Sequence, residues 1–219
     1  MTKKIYPDSG VELKPFISRN YDKVMNVGSL GLYKGFIREA IAQMEIQPDD
    51  TILDLGCGTG RNALLMKGYL GEKGNITGLD ISDAMEQQFL GKLGSSENVR
   101  YIKQRIDVDF DLGRKFDKVF ISFVIHGFPH EVRSTVIENA FRHLKPGGSF
   151  FILDFAEFDM KSMPFHHRWV FKAIECKYAF DFIKRDWKTL LGDAGFSDFT
   201  EHHHMKNYVR LLKAVKKMD

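Results

Sequence analysis

Cysteine is scarce in this sequence, with two residues, Cys57 and Cys176, in a chain of 219. They lie far apart and lack metal-ligand spacing, so we expect neither a disulfide framework nor a cysteine-based metal site. No apolar run is long enough to cross a bilayer, and the polar start Met-Thr-Lys-Lys-Ile lacks the apolar core of a signal peptide. These absences predict a soluble protein of the reducing cytoplasm.

An excess of charge of one sign is also lacking. The net charge is +3 at pH 7, and the charged and hydrophobic fractions, 28% and 43%, are ordinary for a globular domain. Because there is no strong basic stripe and no appended RNA-binding module, we do not expect a nucleic-acid partner. A chain of this length is typical of one domain. We predict a single domain over residues 1–219, with an N-terminal helical segment over 1–47.

Short apolar segments alternate with helical patterns as far as residue 154. The first strand is predicted at 51–55, and four more begin near residues 75, 99, 118 and 149. Apolar strands that alternate with helices indicate a parallel sheet covered on both faces. Residues 197–203 and 207–216 resemble two further strands joined by a tight turn, which predicts an antiparallel hairpin at the sheet edge. The predicted fold class is α/β, with a mostly parallel seven-stranded sheet.

A glycine-rich turn, Gly56-Cys-Gly-Thr-Gly60, joins the first predicted strand to the next predicted helix. Glycines allow positive φ angles and a close approach of the backbone to a ligand, and the helix N-terminus adds amide donors. Asp80 ends the second predicted strand, at the edge where open α/β sheets bind ligands. Its carboxylate could accept both hydroxyls of a ribose.

The turn differs from two common phosphate-binding motifs. The dinucleotide fingerprint needs Gly or Ala where Arg61 stands, because a bulky cation disfavours tight packing of the helix on the strand. No Gly-Lys-Ser/Thr ending is present to cradle phosphates. A nucleoside without a pyrophosphate is therefore the favoured ligand.

Three stretches of the sequence, in the right order, resemble motifs of class I S-adenosylmethionine-dependent methyltransferases. Asp54-Leu-Gly-Cys-Gly-Thr-Gly60 resembles their first motif, Leu79-Asp-Ile-Ser82 their second, and Leu144-Lys-Pro-Gly-Gly148 the signature after their fourth strand. The resemblance implies a Rossmann-like methyltransferase fold. It also implies S-adenosylmethionine as the cofactor and S-adenosylhomocysteine as the product.

Within that superfamily the sequence is most similar to the ubiquinone/menaquinone C-methyltransferase group. Tyr21-Asp22, Ser29-Leu-Gly31 and Ile121-Ser-Phe123 match its pattern, and the resemblance covers roughly residues 20–155. The match implies that Tyr21 closes over the methionine end of the cofactor. Packing of Tyr21 on the surface is a comparable explanation.

The resemblance also implies a set of cofactor contacts at the ends of the strands. Asp54 would support the loop, Asp80 would hold the ribose hydroxyls, and Ile81 would pack on the adenine. Ser122 would face the methionine part. The full set is Asp54, Gly56, Cys57, Gly58, Thr59, Gly60, Asp80, Ile81, Arg105, Ile106, Asp107 and Ser122.

One segment and one single residue depart from the pattern of the quinone group. Arg105 and Ile106 stand where that group usually has Asn-Ala or Asp-Ala, so Asp107 is an alternative for the residue at the adenine edge. His126 stands where the group usually has arginine, which leaves the quinone substrate open.

Methyl transfer from a sulfonium is an in-line displacement, and a carbon or oxygen acceptor also needs a base that removes its proton. His126 and His130 follow the fourth predicted strand, and a histidine can act as a base near neutral pH. We predict both as catalytic candidates, together with Tyr21. Helix capping or packing is the alternative role for His126.

Residues 156–184, between the fifth strand and the last helix, are predicted to form a substrate lid. Six of their aromatic side chains could line an apolar acceptor pocket: Phe165, Trp169, Phe171, Tyr178, Phe180 and Phe182. A pair of helices that buries its own core face is an alternative. No metal is expected, because the histidines at 166–167 and 202–204 lack a carboxylate or cysteine spaced to complete a site.

The predicted function is transfer of a methyl group from S-adenosylmethionine to a small-molecule acceptor that is apolar or aromatic, such as a quinol. Two alternatives stay open: methylation of a phospholipid or polar metabolite at nitrogen or oxygen, and a non-catalytic partner protein that binds S-adenosylmethionine. A lipophilic acceptor would bring peripheral contact with a membrane. A homodimer is compatible with each of these functions.

Overall fold

The structure is a computed structural model that describes Tyr6, Ser9 and residues 32–218. Its helices are α1 (Leu32–Ala42), α2 (Arg61–Lys67), α3 (Asp83–Leu93), α4 (His130–His143), α5 (Phe165–Ile174), α6 (Lys177–Phe182) and α7 (Trp187–Asp193). Its strands are β1 (Thr51–Leu55), β2 (Asn75–Asp80), β3 (Val99–Lys103), β4 (Phe116–Ser122), β5 (Leu144–Phe155), β6 (Phe196–His204) and β7 (Val209–Lys216). In these described ranges, no helix has the length and apolar character needed to cross a membrane.

The seven strands form one sheet in the order β3-β2-β1-β4-β5-β7-β6. The first five strands pair in parallel, whereas β7 runs antiparallel to both β5 and β6. This topology confirms the predicted α/β class and the C-terminal hairpin at the edge. The strand order reverses at β1, whose last residue, Leu55, pairs with Leu79 of β2 and Ile121 of β4. The loop after β1 therefore lies between the ends of two neighbouring strands, where ligands bind in open sheets.

Two apolar clusters cover the two faces of the sheet. Successive strand residues point to opposite faces, so Ile52 packs with Ile37 of α1 and Phe89 of α3, whereas Leu53 packs in the cluster that contains Val136 of α4. Helices therefore lie on both faces, as the alternation of strands and helices predicts.

The start of β5 differs from the prediction. This strand is predicted to begin near residue 149, but β5 already begins at Leu144. Leu144 pairs with Phe116, and the register then shifts before Lys118 pairs with Ser149. Gly147, with a φ of 73°, supplies the left-handed backbone that this irregular start requires.

The predicted lid contains two helices, α5 and α6. The ring of Phe171 packs against Phe155 and Phe180, with centroids 5.1 and 5.4 Å apart. By contrast, Phe165 and Trp169 are 82% and 72% exposed, so the predicted pocket of six aromatic residues does not form as a set. The reason is helical geometry, because Phe165 and Trp169 lie on the side of α5 away from Phe171.

A buried arginine joins the lid to the body of the protein. Arg133 of α4 is 1% exposed, and its guanidinium donates to Asp181 Oδ2 (2.8 Å) and to the carbonyl oxygens of Tyr178 (2.7 Å) and His126 (3.1 Å). It also lies over the ring of Phe182, 5.2 Å from the centroid. One side chain therefore holds α6 and the turn that carries His126 against α4.

We predict that Arg133→Ala lowers the free energy of unfolding by about 3 kcal/mol or more, because it removes a buried side chain that packs on Phe182 and leaves the carbonyl oxygens of Tyr178 and His126 without their donor. Denaturant unfolding followed by circular dichroism measures this change. The matched control is Arg142→Ala on the same helix, whose side chain is 40% exposed and whose loss should cost under about 1 kcal/mol. Equal effects of the two substitutions would contradict this role of Arg133.

Candidate active site

The glycine loop is anchored to the end of β2. The amides of Gly56 and Cys57 both donate to the carbonyl oxygen of Leu79, at 2.8 and 2.9 Å. Gly56, Gly58 and Gly60 have φ angles of 75°, 53° and 77°, in the left-handed region that favours glycine. The loop therefore turns back toward β2 before α2 begins.

The three glycines have different surroundings. A Cβ atom at Gly56 would lie 2.8 Å from Val124 Cγ2, and one at Gly60 would lie 2.8 Å from the ring of Phe89. A Cβ atom at Gly58 would meet no heavy atom of the described chain within 4 Å. Gly56 and Gly60 thus permit close packing, while Gly58 borders open space that a ligand could fill.

Asp80 closes one side of this space. Its Oδ2 accepts from the Gly58 amide (2.9 Å), and its Oδ1 accepts from the amides of Ile81 (2.8 Å) and Ser82 (3.0 Å). Burial raises the pKa of Asp80 more than these hydrogen bonds lower it. Next to it the apolar side chain of Ile81 is 40% exposed. A carboxylate beside an exposed apolar surface complements a ribose hydroxyl beside a flat base.

Asp54 is a buried carboxyl group on β1 with an unused acceptor. It is 1% exposed, and its Oδ2 has no hydrogen-bond partner within the part of the chain that the structure describes. Burial, and then the charge of Asp80, raise the pKa of Asp54 to about 8. A buried acceptor without a donor costs about 1–3 kcal/mol, so a ligand that brings an N–H group would be stabilised here. Asp54, predicted to support the loop, is therefore also suited to contact a ligand.

Cys57 and Thr59, two predicted cofactor contacts, have buried side chains. The Cys57 thiol packs against Gly78 of β2, and burial raises its pKa well above the ordinary value. The carbonyl oxygen of Thr59 accepts from Lys92 Nζ (2.8 Å). Contacts from these two residues to a ligand would therefore come from the backbone.

The predicted adenine-edge segment is held by its own side chains. Asp107 accepts from Arg105 Nη2 (2.6 Å) and from the hydroxyl of Tyr6 (2.8 Å). Burial opposes the charged form of Asp107, but these hydrogen bonds outweigh it and lower its pKa. The Ile106 side chain lies in the core, and its carbonyl oxygen accepts from Asn139. A ligand contact from the Asp107 side chain would have to share these partners, so it stays a prediction.

The chain bends sharply after β4. Ser122 ends the strand beside Leu153, and Phe123 follows with a φ of 52°, which is uncommon for a bulky residue. The Phe123 amide donates to the Leu153 carbonyl oxygen (2.9 Å) and holds this bend. The bend brings Val124 against the glycine loop and carries His126 to the end of β5.

His126 lies between two carboxylates. Its Nδ1–H donates to Asp154 Oδ1 (2.8 Å) on β5, and its Nε2 lies 3.6 Å from Glu175 Oε2 at the end of α5. The imidazole is 12% exposed and packs against the rings of Phe155 and Phe182. Burial disfavours the imidazolium, but Asp154 and Glu175 outweigh it, so the pKa of His126 is raised.

The other sequence candidates lie elsewhere. His130 begins α4 and lines a groove with Trp187 and Leu190 of α7, and its catalytic role stays a prediction. Tyr21 and the 29–31 segment lie outside the described residues.

The remaining histidines do not form a metal site. His166 is exposed, and His167 Nδ1 lies 3.5 Å from the hydroxyl of Tyr208. His204 is buried, and its Nε2 lies 3.0 Å from Gln43 Oε1. Among residues 32–218, Tyr6 and Ser9, no three His, Cys, Asp or Glu side chains are grouped to hold a metal ion.

Sequence reasoning missed two residues of the site, Asp154 and Glu175. Asp154 carried a usable signal, since it is a carboxylate at the carboxyl end of an apolar strand. No sequence pattern indicated Glu175, because only the packing of α5 and α6 brings it to His126.

A family model described as the ubiE/COQ5 methyltransferase family matches residues 12–176 of this chain. The chain belongs to this family. The matched region contains the glycine loop, Asp80, His126 and Asp154, and it ends just before α6. The ubiquinone/menaquinone resemblance of the sequence motifs is therefore confirmed.

Curated relatives of this ubiE/COQ5 family member agree with the assignment. A demethylmenaquinone methyltransferase of Symbiobacterium thermophilum is 32% identical over 146 residues, 65% of this chain and 57% of that protein. A ubiquinone/menaquinone biosynthesis C-methyltransferase of Blochmanniella floridana is 31% identical over 143 residues, 64% of this chain and 56% of that protein. The matches therefore span little more than half the length of these relatives.

A solved structure matches the fold. A SAM-dependent methyltransferase from Aquifex aeolicus superposes with a TM-score of 0.59 at 20% identity, covering 82% of this chain and 88% of that one. The likeness confirms the predicted Rossmann-like class I methyltransferase fold.

We predict that NMR titration of the His126 imidazole gives a pKa above the ordinary histidine value of about 6.5. Asp154→Asn and Glu175→Gln should each lower this pKa, because each removes a negative charge that stabilises the imidazolium. Glu97→Gln, which changes an exposed carboxylate before β3, is the control and should leave the titration unchanged. If Glu175→Gln behaves like the control, Glu175 does not act on His126.

Proposed function

We propose that this protein transfers a methyl group from S-adenosylmethionine to a small-molecule acceptor that carries an acidic hydroxyl, such as a quinol. The observation that carries the proposal is His126, held by Asp154 and faced by Glu175 at the edge of the sheet where the glycine loop and Asp80 lie. Family membership and the quinone-biosynthesis methyltransferases among the relatives support the same reaction.

The residues at the ends of β1 and β2 fit the donor. The unpartnered Oδ2 of Asp54 is suited to the ammonium group of the methionine moiety, and Asp80 is suited to a ribose hydroxyl. Ile81 offers an exposed apolar surface for the adenine, and the backbone at Gly58 leaves room for close approach. S-adenosylmethionine, when bound, supplies a methyl group already activated on a sulfonium. The protein then needs to orient the two reactants and exclude water.

The residues around His126 fit a hydroxyl-bearing acceptor. Asp154 holds Nδ1–H, so the lone pair of neutral His126 is at Nε2, on the side of Glu175. Because Nε2 and Glu175 Oε2 are 3.6 Å apart, an acceptor hydroxyl would lie beside this pair and give its proton to Nε2. The resulting oxyanion would raise electron density on the acceptor ring and favour attack of a ring carbon on the activated methyl group, with S-adenosylhomocysteine as the leaving group. The methylated ring carbon would then lose its own hydrogen as a proton, and the ring oxygen would take back the proton held by His126. Glu175 comes from residues 156–184, which we propose to be the acceptor lid.

The cysteines fit a reducing compartment. Both Cys57 and Cys176 are free thiols. We therefore propose that the methyl transfer takes place on the cytoplasmic side of the cell, where thiols stay reduced.

His126→Gln should lower kcat by about 10²–10⁴-fold, because it removes a general base, while donor affinity stays unchanged. Release of S-adenosylhomocysteine measures kcat with a short-chain 1,4-naphthohydroquinone as acceptor, and calorimetry measures donor affinity. His203→Gln, which changes an exposed imidazole on β6, is the control and should keep full activity. Full turnover by His126→Gln, or turnover with phospholipid amines and none with hydroquinones, contradicts the proposed base or acceptor class.

Binding of S-adenosylhomocysteine at pH 7 should release protons, because Asp54, with a pKa of about 8, is largely protonated in the free protein and ionises beside a bound ammonium. Calorimetry in buffers of different ionisation enthalpy counts these protons. Asp54→Asn should bind more weakly and release none from this position, whereas Glu97→Gln should match the unchanged protein. Undiminished proton release by Asp54→Asn would rule out Asp54 as the ammonium partner.

A further inference from the structure

The lid helix α5 has two contrasting faces. On the inner face Phe171 is buried against Phe155, and the helix ends beside Glu175, which faces His126. On the outer face Phe165 and Trp169 are 82% and 72% exposed. They are four residues apart, so they form one continuous aromatic surface on the helix. An exposed aromatic surface of this kind marks a site of interaction.

Positive charge surrounds this aromatic surface. Between Met160 and Lys177 the sequence has four cations, Lys161, Arg168, Lys172 and Lys177, and one carboxylate, Glu175. Lys161, Lys172 and Lys177 are exposed, whereas Glu175 is half-buried and turned toward His126. The outer face of α5, which we define as Phe165, Trp169, Val170, Lys161 and Lys172, is thus apolar at its centre and cationic at its rim.

The neighbouring turn extends the same surface. His167 on α5 lies 3.5 Å from the hydroxyl of Tyr208, next to the three-residue turn Met205–Asn207 that joins β6 to β7. In that turn Met205 is 42% exposed, and Lys206 is exposed. Burial lowers the pKa of His167, and the charges of His166 and Lys206 add to this effect. The turn therefore adds another apolar side chain and another cation.

We infer that the outer face of α5 docks on an anionic phospholipid surface. Aromatic side chains are favoured at the boundary between headgroups and acyl chains, where their rings are partly desolvated. The lysines at the rim can reach lipid phosphates while their aliphatic stems lie along the apolar surface. The helix would lie in the plane of the interface, with its inner face still packed on the protein.

The charge pattern favours a lipid surface over a second copy of this chain. A symmetric dimer through α5 would set Lys161 and Lys172 of one copy near the same residues of the other. Asp159 is an exposed carboxylate beside Lys161, but α5 itself has none to neutralise Lys172. Like charges brought together in this way oppose association. An anionic surface neutralises them instead.

This docking goes beyond the proposed methyl transfer and does not depend on it. If both hold, the helix that meets the membrane also carries Glu175 to His126, so an apolar acceptor would enter the site from the lipid side. Vesicle binding is measured without donor or acceptor, so failure of the docking and failure of the proposed reaction are distinguishable.

The two tryptophans make the test direct. Trp169 is 72% exposed on α5, whereas Trp187 is 1% exposed in the core. Adding vesicles of phosphatidylcholine with phosphatidylglycerol should shift the fluorescence of the unchanged protein to shorter wavelength, and brominated acyl chains should quench it. Trp169→Phe, which leaves the buried Trp187 as the reporter, should show neither effect. Vesicles of phosphatidylcholine alone should give a much weaker response.

Vesicle flotation of variants tests the two parts of the surface. The double substitution Phe165→Ser with Trp169→Ser should lower vesicle binding about tenfold or more, since it removes the apolar anchor. Lys161→Glu with Lys172→Glu should lower binding to anionic vesicles by at least about tenfold. Leu64→Ser with Leu90→Ser is the matched control, because these side chains on α2 and α3 are 47% and 49% exposed. It should bind like the unchanged protein, and circular dichroism checks that each variant is folded.

Several results would overturn the inference. One is the absence of a Trp169 response to anionic vesicles, and another is an equal response to vesicles without anionic lipid. A shift that grows with protein concentration in the absence of lipid assigns the surface to a second copy. Equal loss of binding by the Leu64 and Leu90 control shows that α5 is not the docking element.

Discussion

Two amides of the glycine loop share one acceptor, the carbonyl oxygen of Leu79 at the end of β2. The loop can reach this acceptor because its glycines adopt left-handed backbone angles. Once the loop is anchored, the Gly58 amide meets the carboxylate of Asp80, and Val124 fits against Gly56. The ends of β1, β2 and β4 therefore form one rigid edge, and the rest of the candidate site is built on it.

Buried carboxyl groups are concentrated at this edge. Asp80 ends β2, Asp54 and Asp154 are the penultimate residues of β1 and β5, and the proposed lid adds Glu175. Burial raises the pKa values of Asp54, Asp80 and Glu175, which means that the charged form of each carboxyl group is held at a cost in free energy. A ligand that carries positive charge relieves this cost. The proposed donor carries both a sulfonium and an ammonium, and its product has lost the sulfonium charge, so the same electrostatics would favour donor over product.

The lid combines two surfaces that face different surroundings. Its inner side is tied to the body by Arg133 and by the packing of Phe171 on Phe155, which keeps Glu175 close to His126. Its outer side exposes Phe165 and Trp169. A short helix can serve both purposes because residues four apart share a side, while those two apart point in nearly opposite directions.

The sequence alone determined the order of the elements along the chain. The apolar strands, the glycine loop, Asp80 and the C-terminal hairpin are all local patterns, and apart from the earlier start of β5 they occur where they were predicted. Local patterns carry this information because strand and helix periodicity, and the backbone freedom of glycine, act over a few residues. Only the tertiary structure decided which histidine meets a carboxylate, and which lid aromatics are buried. His126 pairs with Asp154 and Glu175 across distant segments, and that contact depends on packing, which no local pattern encodes.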